Sequence, residues 1–328
     1  MINIRPKLED VAALANVSKT TVSRVLNNRG SLSQKTIDNV LCAMKELNYQ
    51  PNAVARQLYK KQTNIIGILF PTIANPFFGE LTEELEKRLY NEGFKVIVGN
   101  SMNNPDKEAN YINQLLTKQV DGLIVGTHNQ GIKEYDYKNL PIVAIDRNMN
   151  LDIPVIESDN YNGGVIATTR LIESGAKRIL HTNGPIELET PAKRRREAYE
   201  DTMRKYNLHP HTVTIDFNVS YEEKKIILKK ALDDFQDTEA IFASNDVDAA
   251  LIMQLVFEQG RKIPEDLLIV GYDGTKIMRN IIPTLTTIIQ PIEEIAVTAI
   301  EVLKKRMNNQ ETKLEYVLPV SLKEGKSG

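Results

Sequence analysis

Apolar positions in residues 1–62 recur at helical steps and in short groups. Val11 and Leu14 share one face of a first helix that starts near Leu8. Val22, Val25 and Leu26 form the inner stripe of a second helix that Ser18 is placed to cap. Ile37, Val40, Leu41, Met44 and Leu47 repeat at three- and four-residue steps in a third, with Ser33 at its cap. The segment "NYQPNAVARQLYKKQ" offers Pro51 as the first position of a fourth, very short helix. Nucleation is costly, so a helix of that length needs outside support to persist.

From residue 63 the texture changes. Apolar runs ("NIIGILF", "FKVIVGN", "VDGLIVG", "PIVAI", "RILHTN", "HTVTID", "AIFAS", "LLIVGY") alternate with amphipathic stretches such as "FFGELTEELEKRLYNEG", "EANYINQLLTKQ", "GGVIATTRLIESG", "RREAYEDTMRKYN" and "ALIMQLVFEQG". Strand and helix in alternation predict parallel sheets covered on both faces. The number of strands predicts two such sheets rather than one very wide one. A last strand, "EYVLPVSL", precedes "KEGKSG", which is too short and polar to predict further structure.

Composition narrows the function classes. The 328 residues suffice for two or three compact units, and no apolar run approaches a membrane span. The start, "MINIRPKLEDVAALA", lacks the apolar segment and cleavage site of an export signal, and Cys42 is the only cysteine. A cytoplasmic protein without disulfides or a Cys-rich zinc site is expected. The net charge of -2 hides an asymmetry. Through residue 62, ten basic residues face four acidic ones, +6, which leaves -8 on the remainder. A basic head on an acidic body suits a protein whose head alone meets a polyanion.

On the second helix, Thr20, Arg24 and Asn27 are expected to project outward, flanked by Thr21 and Ser23, with Lys19 at the exposed amino end. Short donors and acceptors with one guanidinium are what a major groove about 12 Å wide admits. Arg24 is the candidate for a guanine edge or a phosphate, while Ser18, Thr21 and the helix amino terminus would hold phosphate. A plain three-helix bundle with a solvated polar helix would read the same by composition. In the second region, His128, Asp146, Arg147, Asn245, Asp246 and Asp273 each follow an apolar run. Ligands collect outside the carboxyl ends of parallel strands, so these groups are expected to line a cleft. Paired carboxylates and amides beside the faces of Phe77, Phe78 and Phe217 suit sugar hydroxyls.

"LEDVAALANVSKTTVSRVLNNRG" followed by "LNYQPNAVARQL" resembles the head of the LacI/GalR family of transcriptional repressors. The resemblance continues through "NPFFGEL", "VDGLIV", "SDNYNGG", "SNDVDAA", "IVGYDGT" and "LTTIIQP". It implies a small all-α helix-turn-helix DNA-binding head at residues 1–49, a hinge helix and linker at 50–62, and an α/β, two-lobed, periplasmic-binding-protein-like core at 63–328. Its first lobe would hold about 63–158 and 288–316, its second about 159–287 and 317–325. Asn52 and Ala55 fall in the matched hinge, and Leu58 takes the place of the leucine that family members wedge into the minor groove. The family pocket maps onto Phe77, Phe78, Asp146, Arg195, Phe217, Asn245 and Asp273. Ala198 replaces the family's usual glycine in "RREAY", which leaves Arg194 and Arg196 as alternatives to Arg195.

"NNPDKE", "AIDRN" and the tail resemble sucrose-operon repressors of Gram-positive type, which implies sucrose, fructose or a phosphorylated form as effector. A homodimer on a near-palindromic double-stranded operator is expected. No leucine heptads follow the last strand, so no tetramer is expected. No cofactor, metal, membrane or catalytic residue is expected: the esterase elbow, Walker loop and dinucleotide fingerprint are absent, and "HPH" at 209–211 lacks further ligands. The rival classes are a sugar-binding transport protein and a carbohydrate-active enzyme. The first has no use for residues 1–62, and the second would turn over a candidate sugar.

Overall fold

A computed structural model describes residues 6–27, 29–50, 62–102, 104–127, 129, 131–147, 149, 152–186, 190, 192–216 and 219–328. The chain divides into two compact units, Met1–Thr63 and Asn64–Gly328.

In the first unit α1 (Leu8–Leu14), α2 (Lys19–Leu26) and α3 (Gln34–Glu46) enclose a small core of Val11, Ala12, Ala15, Val22, Val40 and Ala43. The caps form as the sequence predicts: Ser18 Oγ accepts from Thr21 N at 3.1 Å, and Ser33 Oγ from Thr36 N at 3.2 Å. Two apolar positions depart from the expected stripes. Leu14 is 45% and Leu41 52% exposed. Small residues, Ala12, Ala15 and Ala43, face inward, because short helices crossing closely have room for methyl groups.

Among the described residues, the second unit contains two six-stranded sheets. The first has the order β11-β5-β4-β3-β1-β2, with β1 Ile65–Phe70, β2 Lys95–Asn100, β3 Gly122–Val125, β4 Ile142–Ile145, β5 Val155–Ser158 and β11 Glu315–Leu318. The second has the order β12-β10-β9-β8-β6-β7, with β6 Ile179–Asn183, β7 His211–Thr214, β8 Ala240–Phe242, β9 Leu268–Asp273, β10 Thr286–Ile289 and β12 Ser321–Lys323. All pairings are parallel except β10 with β12.

Helices cover both faces. On the first sheet α4 (Pro76–Asn91) and α11 (Ile292–Met307) pack one side, and α5 (Pro105–Leu116) packs the other. On the second sheet α6 (Asn160–Glu173) and α7 (Lys193–Lys205) pack one side; α8 (Tyr221–Asp234) and α9 (Asp246–Glu258) pack the other. A short α10 (Lys276–Ile281) follows β9. No described helix is long and apolar enough to cross a membrane.

The run "EYVLPVSL" is two strands in different sheets. Pro319 lies at the break, where a residue without an N–H costs no ladder bond. The sheets also move the expected lobe boundaries: β10 keeps residues 286–289 in the second lobe and β11 keeps 315–318 in the first. The tail, for which no structure was expected, is docked. Ile269 N donates to Ser327 O at 2.6 Å, Thr286 N to Ser327 Oγ at 2.9 Å and Arg170 Nη2 to Gly328 O at 3.1 Å. Gly325 permits this approach, since a Cβ there would lie 2.3 Å from Thr284 O.

Candidate functional site

The outward side of α2 carries Lys19, Thr20 and Arg24, all exposed. Lys19 Nζ meets Glu9 Oε1 at 2.6 Å, a solvent-facing pair that holds the Glu9 carboxyl below its usual range and is cheap to exchange for another anion. Ser18 and Thr21 hydroxyls bond each other at 2.9 Å beside the helix amino end. The Arg24 guanidinium lies against Gly30, whose φ of +74° and lack of Cβ leave it room; a Cβ would sit 2.1 Å from Nη2. Asn27 departs from the expectation that it projects outward. It is the C-cap residue, half-buried, and its Nδ2 donates back to Ser23 O at 2.8 Å, because the last turn's carbonyls need donors. Ser23, half-buried, receives the same amide at 3.4 Å. Asn52, Ala55 and Leu58 lie outside the described residues.

In the second unit, strand ends of both sheets meet where the chain crosses between lobes. Asp146 follows β4, Asn160 opens α6 just after β5, and Asp273 ends β9. Arg195 reaches in from the first turn of α7. Arg195 is 5% exposed, its guanidinium lies 3.6 Å above the Tyr272 ring, Nε donates to Asn160 Oδ1 at 2.7 Å and Nη1 to Ser244 O at 2.8 Å. Asn160 Nδ2 donates to Asp146 Oδ1 at 3.3 Å and to Ser158 O at 3.0 Å. Gln290 spans the second crossing, donating to Asp273 Oδ1 at 2.8 Å while Ser158 Oγ donates to Gln290 Oε1 at 2.6 Å. Asp146 Oδ2 and Asp273 Oδ2 accept no hydrogen bond among the described residues. Both aspartates have positive φ, 50° and 105°, a conformation that costs energy for a residue with a Cβ and concentrates where backbone geometry serves a site.

The local field is acidic. Burial pushes Asp273 up to about 8 against the pull of Arg195. Burial likewise raises Asp246, behind it, to about 6, opposed by hydrogen bonds from Thr287 and Gly274. Glu157 is raised to about 7 by burial and then by Asp146. His181, fully enclosed, is held down at about 3; one ring nitrogen meets Phe242 O at 2.8 Å and the other Asn183 Nδ2 at 2.9 Å. It is a stacked, neutral core residue rather than an acid or base at a site. Groups that pair hydrogen-bond acceptors with a fixed guanidinium suit binding of a polyol. No cluster able to hold a metal ion occurs among the described residues.

Several expectations change here. Of the three consecutive arginines, Arg195 is the one buried against Asn160 and Tyr272. Arg194 is exposed beside Glu197, and Arg196 pairs with Glu200. Arg147, expected in the cleft, turns instead into the first lobe. Nη1 meets Glu108 Oε1 at 2.5 Å and Nη2 donates to Asn129 O at 2.5 Å, so its charge is spent on a buried carboxylate. Phe77 is 4% exposed and belongs to the core; Phe78, half-buried against Phe70, can still offer a face. Asn245 is the N-cap of α9, with Oδ1 accepting from Asp248 N at 2.9 Å, and remains half-exposed. His128 and Phe217 lie outside the described residues. Reading the sequence missed Asn160, Tyr272 and Gln290. They stand inside "SDNYNGG", "IVGYDGT" and "LTTIIQP", but their neutral chemistry carries no signal without the fold.

A helix-turn-helix head joined to a two-lobed core with a polar strand-end cleft defines a DNA-binding regulator with a ligand-binding body. Residues 7–52 match the family described as bacterial regulatory proteins, lacI family, and residues 168–328 match a periplasmic binding protein-like domain. The chain belongs to the lacI family. It is 42% identical to the sucrose operon repressor of Pediococcus pentosaceus over 98% of this chain and 99% of that protein. It is 38% identical to the ribose operon repressor of Halalkalibacterium halodurans over 96% of this chain and 95% of that one. The lac repressor dimer bound to operator and the anti-inducer ONPF superimposes with a TM-score of 0.87 at 28% identity, covering 98% of both chains. These relatives are repressors of transcription, not enzymes, and so is the class of this chain.

Proposed function

We propose that this protein represses a sugar-utilisation operon in the cytoplasm. It binds a near-palindromic double-stranded operator as a homodimer and answers to a sugar held between the lobes of its core. The observation that carries the reading is the pairing of an exposed Lys19, Thr20 and Arg24 on α2 with a cleft whose Asp146 Oδ2 and Asp273 Oδ2 are uncommitted. Thr20 and Arg24 read base edges in the major groove, Ser18, Lys19 and Thr21 hold phosphate, and Asn52, Ala55 and Leu58 engage the minor groove, where an apolar wedge bends the duplex. A second copy is supported by apolar side chains on the edge strand β2, where Ile97 is 40% and Val98 39% exposed, and by Ile281 on α10 at 67%. An exposed apolar edge strand calls for a partner.

The effector class follows from charge. Of the three consecutive arginines only Arg195 is buried at the cleft, and its guanidinium is already engaged by Asn160 Oδ1 and Ser244 O, so one committed cation favours an uncharged sugar over a sugar phosphate. Sucrose and fructose lead because the sucrose operon repressor is similar over nearly the whole chain. Asp146 accepts from hydroxyls, Asp273, which holds its proton below about pH 8, donates, Arg195 donates, and Phe78 offers an apolar face. A thermal-shift screen with sucrose, fructose, ribose and fructose 6-phosphate tests this. A bound sugar at a hundred times its dissociation constant adds about 2.7 kcal/mol of stability. Stabilisation by fructose 6-phosphate alone would overturn the neutral-sugar reading, and a silent panel would overturn the sugar reading.

A further inference from the structure

We infer that Asn160 is the positioning residue that couples the two lobes' charged cleft groups, setting Asp146 of the first lobe against Arg195 of the second. The inference deepens the cleft reading above and rests on it. Asn160 is buried at the first crossing between lobes, directly after β5 and at the opening of α6. Its amide is fully engaged. Oδ1 accepts from Arg195 Nε at 2.7 Å and from Tyr272 OH at 3.4 Å, while Nδ2 donates to Asp146 Oδ1 at 3.3 Å and Ser158 O at 3.0 Å. Among the described residues it alone bonds both Asp146 and Arg195.

The bonds on the two sides differ in kind. Arg195, Tyr272 and Asn160 all belong to the second lobe, and the stack of guanidinium on phenol ring fixes the short Arg195 contact. The bond to Asp146 crosses between lobes and is the longest that the amide makes to a charged group. Rotation of one lobe on the other therefore alters the Asp146 contact first and leaves the Arg195 contact in place. A sugar that bonds Asp146 Oδ2 and Arg195 together is recognised only while Asn160 holds them in register. Buried polar networks of this sort are worth most when every member is satisfied. Neighbouring side chains close the alternatives: a Cβ at Gly163 would lie 2.6 Å from Tyr272 Oη, so the ring that carries Arg195 is seated on a residue without a side chain.

An amide is required because the position must accept on one side and donate on the other. Asn160→Asp keeps the acceptor for Arg195, loses the donor to Asp146 and adds repulsion. Asn160→Ser shortens both contacts out of reach with little change in volume or charge. Crystal structures of the full-length wild type and both variants, without sugar, test positioning directly. Asp146 is expected to turn from residue 160 in Asn160→Asp while Arg195 stays on Tyr272, and both are expected to move in Asn160→Ser. In parallel, calorimetry with sucrose and fructose should show at least tenfold weaker binding for both variants. Unmoved Asp146 and Arg195 side chains, or undiminished sugar affinity in both variants, would overturn the proposal. If neither sugar binds the wild type, the effector reading fails by itself, and the crystal structures still decide the role of Asn160.

Discussion

Glu108 offers the sharpest quantitative test of the core. It stands on α5 with no exposure and accepts from Thr127 Oγ1 at 2.5 Å, Asn129 Nδ2 at 2.7 Å, Tyr135 OH at 2.5 Å and Arg147 Nη1 at 2.5 Å. Burial and the Glu108 charge push the Tyr135 phenol well above its ordinary range, so it remains a donor. Glu108→Ala strands the Arg147 guanidinium in the interior. Removing one partner of a buried pair costs about 3–5 kcal/mol, because the desolvated charge left behind has no compensation. At roughly 2 °C per kcal/mol for a unit of this size, the melting temperature of the core should fall by about 6–10 °C. Glu108→Met with Arg147→Met removes both charges and should be less harmful than Glu108→Ala alone, although Thr127, Asn129 and Tyr135 then lose an acceptor. Calorimetric melting of the wild type and Glu108→Ala, together with a double-mutant cycle of Glu108→Met, Arg147→Met and the two combined, checks this. A loss below about 1 kcal/mol for Glu108→Ala, or a double loss equal to the sum of the singles, would refute the reasoning and return Arg147 to the cleft.

Arg24→Ala should cost about 1–3 kcal/mol on the operator and relax base choice at one position in each half-site, read by gel-shift titration against single-base operator variants. Ser18→Ala removes the cap on α2 and should lower head stability by about 1 kcal/mol, measured by thermal melting monitored through helix ellipticity. The pH dependence has a definite sign. Asp273 titrates near 3.9 in the unfolded chain and at about 8 when folded, so between those values the folded state holds the extra proton. Its contribution to stability is therefore largest below pH 4 and declines as pH rises towards 8. Asp273→Asn should flatten the decline in melting temperature between pH 4 and pH 8, and an unchanged slope would contradict the assignment.

The division into a helical head and a strand-and-helix core is legible in the sequence because the apolar period changes sharply near residue 63. The caps at Ser18 and Ser33 are legible because a hydroxyl before a periodic run has one strong use. Strands β5 and β10, by contrast, carry polar residues inside "PVIESD" and "LTTIIQ", so neither forms the continuous apolar run that marks the equally short β3, β4 and β8. The two halves of "EYVLPVSL" read as one strand because sequence does not say which sheet supplies each partner. Asp146, Arg195 and Asp273 are legible as cleft candidates because a charge after a buried strand, or at a matched motif, stands out. Arg147 stands out equally and serves a different end, since its partner Glu108 lies 39 residues away on a helix. Asn160 carries no charge, and only the fold shows both of its neighbours.

The most direct measurement is a fluorescence-anisotropy titration of the full-length protein on two labelled duplexes, one from upstream of its own operon and one of scrambled sequence. It should be run at several salt concentrations, with and without sucrose or fructose. The account predicts at least ~10³-fold tighter binding to the first duplex, a steep fall in affinity with salt, and a tenfold or greater change in operator affinity when the sugar is present. Equal affinity for the two duplexes at every salt concentration, unmoved by sugar, would contradict it.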